Sequence, residues 1–188
     1  MPPKRYKRKK GNFRKAVLKI VDKQIETKHK DGVWNNVDVS TTAVSNSLVN
    51  INQGVDQDQR IGNQIKLTSV KGDFFFVLNP LRDYHNLRLI LYIKKDISGP
   101  DLQIQYFQQP DYDKFTIVKD VLLSLSKYGE TSKRLSFWKK MSPVITYDGV
   151  TGSTVQKNEL NFYYVSDTTV LDNPPKMFGT IRTFYKDG

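Results

Sequence analysis

The 188-residue chain has room for one domain and an extension, and with no cysteine it can build neither a disulfide framework nor a thiolate metal site. Its formal charge of +11 is unevenly placed: residues 1–30 hold twelve Lys and Arg against Asp22 and Glu26, while the remainder holds eighteen against seventeen. A near-neutral body carrying a cationic arm is arranged to meet a polyanion through that arm.

Residues 1–15, MPPKRYKRKKGNFRK, contain eight basic residues and no acid. Such a block repels itself and cannot bury a core, so it reads as disordered when free. Lys4, Arg5, Lys7, Arg8, Lys9, Lys10, Arg14 and Lys15 are its candidate phosphate contacts, with Lys19 and Lys23 as a second rank. Tyr6 and Phe13 lie among these cations, where they could stack on bases. From Arg14 to about Lys28 the pattern becomes helical. Val17, Val21 and Ile25 recur every fourth residue, with Lys15, Lys19, Lys23 and Glu26 on other faces. That apolar stripe must bury against the body or against other copies of the chain.

Beyond Val37 the period shortens to two. Lys66–Val77 and Leu87–Lys94 alternate as strands, the second most clearly. Phe115–Val121, Leu123–Lys127, Arg134–Met141, Leu160–Val165 and Phe178–Tyr185 are rich in Val, Ile, Thr, Phe and Tyr and read the same way. Asn79-Pro80, Ser98-Gly99-Pro100, Tyr128-Gly129, Asp148-Gly149, Thr151-Gly152 and Pro174-Pro175 separate them as turns. Asp101–Gln108 reads as a short helix in a connection. Many strands without alternating helices predict an all-β sandwich or barrel over 31–188, behind an arm-and-helix segment over 1–30. Phe74–Phe76, Phe137–Trp138 and Phe162–Tyr164 are expected to fill a core or a subunit interface.

Catalytic and metal signatures are sparse. His29 and His85 are the only histidines and have no ligand-spaced partner, so both read as surface or capping residues. No nucleophile elbow, P-loop or dinucleotide fingerprint occurs. Asp56/Asp58 and Asp111/Asp113 sit in turn-rich segments and read as turn caps, with a structural calcium site as the sharper alternative. No run of about 18 apolar residues is present, and an apolar leader and N-glycosylation sequons are both missing, so neither a membrane span nor secretion is expected.

Two segments carry a resemblance. Gln53–Lys66, with its Gln59-Arg60-Ile61-Gly62 core, is similar to the stretch leading into the first jelly-roll strand of small viral capsid proteins. Lys114–Asp120 followed by Gly129-Glu130-Thr131 is similar to a second stretch of the same proteins, and Phe178–Asp187 to their last strand. The chain thus resembles the capsid proteins of circular Rep-encoding single-stranded DNA viruses and the coat protein of satellite tobacco necrosis virus. The resemblance implies a single eight-stranded jelly roll of two four-stranded sheets, and sixty copies in a T=1 icosahedral shell. It implies an arm turned inward onto a single-stranded genome, DNA ahead of RNA. The Val17/Val21/Ile25 helix would bundle with two copies of itself. Calcium at subunit contacts is also implied, with Glu26 and the carbonyls near Ile61 and Gln64 as candidate ligands. The virion is the implied location, with Lys4–Lys10 serving as a nuclear-import signal if replication is nuclear; the turn-rich segments 96–113 and 147–158 are expected to be outer loops, because loops carry recognition. The alternative is a cellular single-strand-binding module, an OB-like barrel with a basic tail; its body would be expected to bear a binding groove.

Overall fold

The computed structural model describes residues 25–149 and 153–188. The strands are β1 (Lys28–Asp38), β2 (Val44–Ser47), β3 (Gln64–Val77), β4 (Tyr84–Lys94), β5 (Phe115–Ser126), β6 (Ser132–Lys140), β7 (Val144–Tyr147), β8 (Val155–Lys157), β9 (Glu159–Ser166) and β10 (Lys176–Asp187). A single 3-10 turn, Val170–Asp172, interrupts the β9–β10 connection.

All pairings between these strands are antiparallel, and they nest. β1 pairs with β10, β2 with β9, β3 with β6 and β7, and β4 with β5. A chain folded once upon itself and then rolled generates this order. The result is two sheets, β1-β10-β3-β7-β8 with β6 also on β3, and β2-β9-β4-β5. That arrangement is a jelly roll, the fold class expected from the sequence.

One sheet has six strands rather than four because a jelly-roll strand is broken into β6 and β7 and the short β8 adds to its edge. Ser142-Pro143 separates β6 from β7, although both pair with β3. Proline cannot donate to a ladder. The break faces an irregularity in β3, where Phe184 pairs with Ser69 but Tyr185 pairs with Leu67, leaving Thr68 over. The extra residue switches the inward set from Ile65 and Leu67 to Val70, Phe74 and Phe76. The alternation read from the sequence therefore holds on each side of Thr68 but not across it.

The core lies between the sheets. Rows of side chains crossing the six-stranded sheet alternate large with small. Trp34, Gly179 and Phe74 form one row, and Ile181, Gly72 and Phe137 another. A Cβ on Gly179 would lie 2.4 Å from the Phe74 ring, and one on Gly72 would lie 2.5 Å from the Phe137 ring. The glycines make space for their aromatic neighbours. Phe74 then stacks on Phe162 of the opposite sheet at 4.9 Å, and Trp34 meets Phe162 edge-on at 5.1 Å.

The β4–β5 connection forms a third layer. Leu102, Ile104 and Tyr106 lie on Ile90, Tyr92, Tyr163 and Val165, covering the outer face of the four-stranded sheet. Arg88 fastens this layer: it pairs with Asp120 at 2.6 Å and donates to the carbonyls of Tyr106 and Gln108. Asp101–Gln108 is therefore not the helix expected from its sequence. It is irregular chain with one turn, held by side chains that cover apolar surface. The 96–113 segment packs one side on the sheet through Leu102, Ile104 and Tyr106 and exposes the other.

Three other expectations are corrected. Gln64–Val77 is the third strand of the jelly roll, not the first, since β1 and β2 precede it. His85 is fully buried on β4 rather than at the surface. Phe115–Val121 and Leu123–Lys127 form one continuous strand, β5. The expected helix from Arg14 falls outside the described residues except at its end, where Ile25–Thr27 is irregular and Lys28 opens a strand.

Candidate nucleic-acid interface

Where the arm enters the body, it does so at the edge of the six-stranded sheet. Lys28, the first residue of β1, is buried; its ammonium donates to the Gln59 carbonyl at 3.0 Å and pairs with Asp187 at 3.1 Å. Lys30 pairs with Asp58 at 3.0 Å. The last two lysines of the cationic segment thus anchor the arm's exit. Ile25, the end of the expected inter-subunit stripe, is half-exposed on the single chain. Lys4, Arg5, Lys7, Arg8, Lys9, Lys10, Arg14, Lys15, Lys19, Lys23, Val17 and Val21 lie outside the described residues.

The Gln59-Arg60-Ile61-Gly62 motif sits beside this exit and is structural. Arg60 is fully buried. Its guanidinium lies 4.1 Å from the centre of the Tyr147 ring. It donates to the carbonyls of Ile51 (3.2 Å), Gly62 and Gly149 (3.5 Å). One planar fork therefore ties the β2–β3 connection to the β7–β8 turn. Gln59 Oε1 accepts from the Asp56 amide at 3.3 Å and occupies the space a Cβ on Gly54 would need.

The open face of the six-stranded sheet is charged. Register places Arg182, Lys71 and Trp138 side by side across β10, β3 and β6. Phe184, Ser69 and Lys140 form the next row. Arg182 is held by two bonds of 2.7 Å to Asp31. Arg134 holds Asp73, which also accepts from Ser136 at 2.8 Å. These partners keep the carboxyls of Asp31 and Asp73 below the usual range, chiefly through hydrogen bonds from Arg182 and Arg134 respectively. Asp31, Lys71, Asp73, Thr180, Arg182 and Phe184 line a shallow depression of about 250 Å³. Trp138 is 70% exposed, whereas the other tryptophan, Trp34, is 8% exposed. Of the two expected places for Phe137–Trp138, core or subunit interface, the core is excluded for Trp138: Arg134, Ser136, Trp138 and Lys140 alternate on one face of β6, a period-2 signal visible in the sequence.

The remaining candidates resolve as structural. Asp111 accepts from the Asp113 amide at 3.0 Å, a turn cap. His29 lies against Phe184 with ring centres 6.3 Å apart. His85 Nδ1 bonds Thr168 Oγ1 at 2.8 Å, and its Nε2 has no hydrogen-bond partner among the described residues. Among those residues no three His, Cys, Asp or Glu gather as a metal site. The calcium expectation concerns a contact between subunits, and within one chain its candidate carbonyls each accept a hydrogen bond. The Ile61 carbonyl accepts from Gln53 at 2.7 Å and the Gln64 carbonyl from Gly188 at 3.1 Å. The carboxylates bonded into this region, Asp58 and Asp187, are committed to Lys30 and Lys28.

The nested strand pairing and two packed sheets define a jelly-roll β-sandwich. No family model and no curated protein matches the chain. Among solved structures, it is similar to one of Desmodium yellow mottle tymovirus, with 9% identity, TM-score 0.46, and coverage of 99% of this chain and 91% of that one. A tobacco streak virus coat protein dimer gives 13% identity, TM-score 0.35, and coverage of 86% and 88%. A structure of infectious bursal disease virus gives 10% identity, TM-score 0.34, and coverage of 87% and 33%. All three scores are low, so the jelly-roll assignment rests on the strand pairing itself.

Proposed function

We propose that this chain is a viral coat protein that assembles into a small icosahedral shell and holds a single-stranded genome with its N-terminal arm. The observation that carries this reading is the charge split: twelve Lys and Arg stand against two acids in residues 1–30, joined to a near-neutral jelly roll. The body supplies what a shell requires, a rigid sandwich whose surface repeats by symmetry. The arm supplies what a genome requires, dense cations that displace condensed counterions without reading sequence. Sixty arms would neutralise on the order of 600 phosphates. The arm residues Lys4, Arg5, Lys7, Arg8, Lys9, Lys10, Arg14 and Lys15 make these contacts, seconded by Lys19 and Lys23, and Val17, Val21 and Ile25 bury between subunits. An OB-like module is disfavoured by the nested pairing, which is not that of a five-stranded barrel.

The test is size-exclusion chromatography of the recombinant chain with light scattering and absorbance at two wavelengths, at low and high salt. A megadalton particle carrying nucleic-acid absorbance is expected, and nuclease preference then assigns DNA or RNA. A monomer or dimer that binds nucleic acid reversibly under every condition would favour the single-strand-binding module instead.

A further inference from the structure

We propose that the open face of the six-stranded sheet is a second nucleic-acid surface, distinct from the arm, on which Trp138 stacks a single-stranded base between phosphate contacts from Lys71 and Lys140. The proposal rests on the coat-protein reading and locates a part of the genome contact on the body.

The first argument is charge. Across β1, β10, β3 and β6, seven cations point from this face, Lys66, Lys71, Arg134, Lys140, Lys176, Arg182 and Lys186, against the carboxylates Asp31, Asp38 and Asp73. The excess of four stands on a body whose total over residues 31–188 is only +1. The near-neutral body is therefore polarised. The opposite side bears the β4–β5 layer, where Asp96, Asp101, Asp111 and Asp113 outnumber Lys95 and Lys114. A polyanion approaching the body is steered to the six-stranded sheet.

The second argument is what each cation is doing. Arg182 and Arg134 are occupied by Asp31 and Asp73. Lys66, Lys71 and Lys140 form no salt bridge among the described residues. Lys71 lies directly opposite Trp138 in the β3–β6 register, about 5 Å away at Cβ. Lys140 follows Trp138 by two residues on the same face, about 7 Å along the strand. An indole with ammonium groups on two sides matches the alternation of base and phosphate in a single strand.

The third argument is continuity. The arm leaves from β1, the edge of this same sheet, through Ile25–Thr27. A strand held by the arm meets the open face next. Stacking on Trp138 needs an unpaired base, so the face takes single strands over duplexes.

The experiment uses the full chain and a ten-residue oligothymidine. Trp34 is buried in the core, so a change in the solvent-exposed tryptophan emission reports Trp138. Oligothymidine is expected to quench that emission and, on ultraviolet cross-linking, to attach to the Leu135–Lys139 peptide. A duplex of equal length should do neither. Trp138→Ala should weaken oligothymidine binding at least about fivefold, with Trp138→Phe restoring most of it. Oligothymidine binding with unchanged emission and cross-links confined to residues 1–24 would overturn the proposal while leaving the arm's role intact. Emission that shifts on particle formation without any oligonucleotide would also overturn it, because a second copy would then cover Trp138. A chain that binds no oligothymidine at all would instead sink the coat-protein reading.

Discussion

Two buried polar side chains set the behaviour of the molecule at the scale of single residues. Arg60 serves three backbone carbonyls from segments far apart in sequence. Arg60→Leu would leave these acceptors without their donor in a buried place, each worth about 1–3 kcal/mol. The variant is expected to lose about 3 kcal/mol or more, read as a lower urea midpoint with an unchanged slope. His85 acts through pH. Burial holds its imidazolium below its ordinary range, with Arg82 adding to the effect and Asp167 opposing it. The unfolded chain therefore binds the proton more tightly than the folded one. Stability is full above about pH 6.5 and declines as pH falls below it. His85→Gln should flatten stability between about pH 5 and 6.5, above the range where carboxylates titrate. Denaturation midpoints across that window check this; a slope unchanged by the substitution would assign the decline elsewhere.

At the scale of elements, the sheets are held by size alternation as much as by hydrogen bonds. Gly179 on β10 lies between Trp34 on β1 and Phe74 on β3, and a methyl group there would also approach the Asp73 carbonyl to 2.6 Å. Backbone cannot move aside as a side-chain tip can. Gly179→Ala is expected to cost about 1–3 kcal/mol by overpacking. A control at Gly149, whose added Cβ meets nothing within 4 Å, isolates a different cause, because its φ of 69° is strained for any side chain. Thermal melts of Gly179→Ala alone and with Phe74→Leu provide the check: the second change should recover part of the loss only if the clash is steric.

For the whole molecule, the division between arm and body predicts separable properties. Removing residues 1–15 deletes eight cations and leaves β1–β10 in the chain. The truncated chain should keep its β-rich circular dichroism and lose most of its co-purifying nucleic acid, read as the ratio of absorbance at two wavelengths. Binding by the intact chain should fall steeply with salt, since each neutralised phosphate releases counterions. The face bearing Trp138 adds a smaller term that survives the truncation. Equal nucleic-acid content in truncated and intact particles would contradict the arm's assigned role.

The sequence by itself determined the features that depend on local composition and period. Leu87–Lys94 lies in β4, and Arg134–Met141 and Phe178–Tyr185 fall largely in β6 and β10, while Lys66–Val77 lies in β3 with its alternation interrupted at Thr68. The charge split is a property of composition and needed no fold. β1 was not legible, since Lys28–Asp38 is polar and charged and becomes a strand only by pairing with β10, some 150 residues away. The Thr68 bulge was hidden for a related reason: an extra residue in one strand is defined by its partner. Asp101–Gln108 lost its helical reading to tertiary packing, because covering Ile90 and Tyr163 outweighs what a single isolated turn of helix could supply. His85 looked like a surface residue because burial of a polar side chain depends on partners that only the fold assembles. Likewise Trp138 shows an aromatic among strand residues in the sequence, but only the register sets it beside Lys71 on an open, cationic face. Sequence period fixes which residues share a face; long-range pairing decides which of those faces is covered.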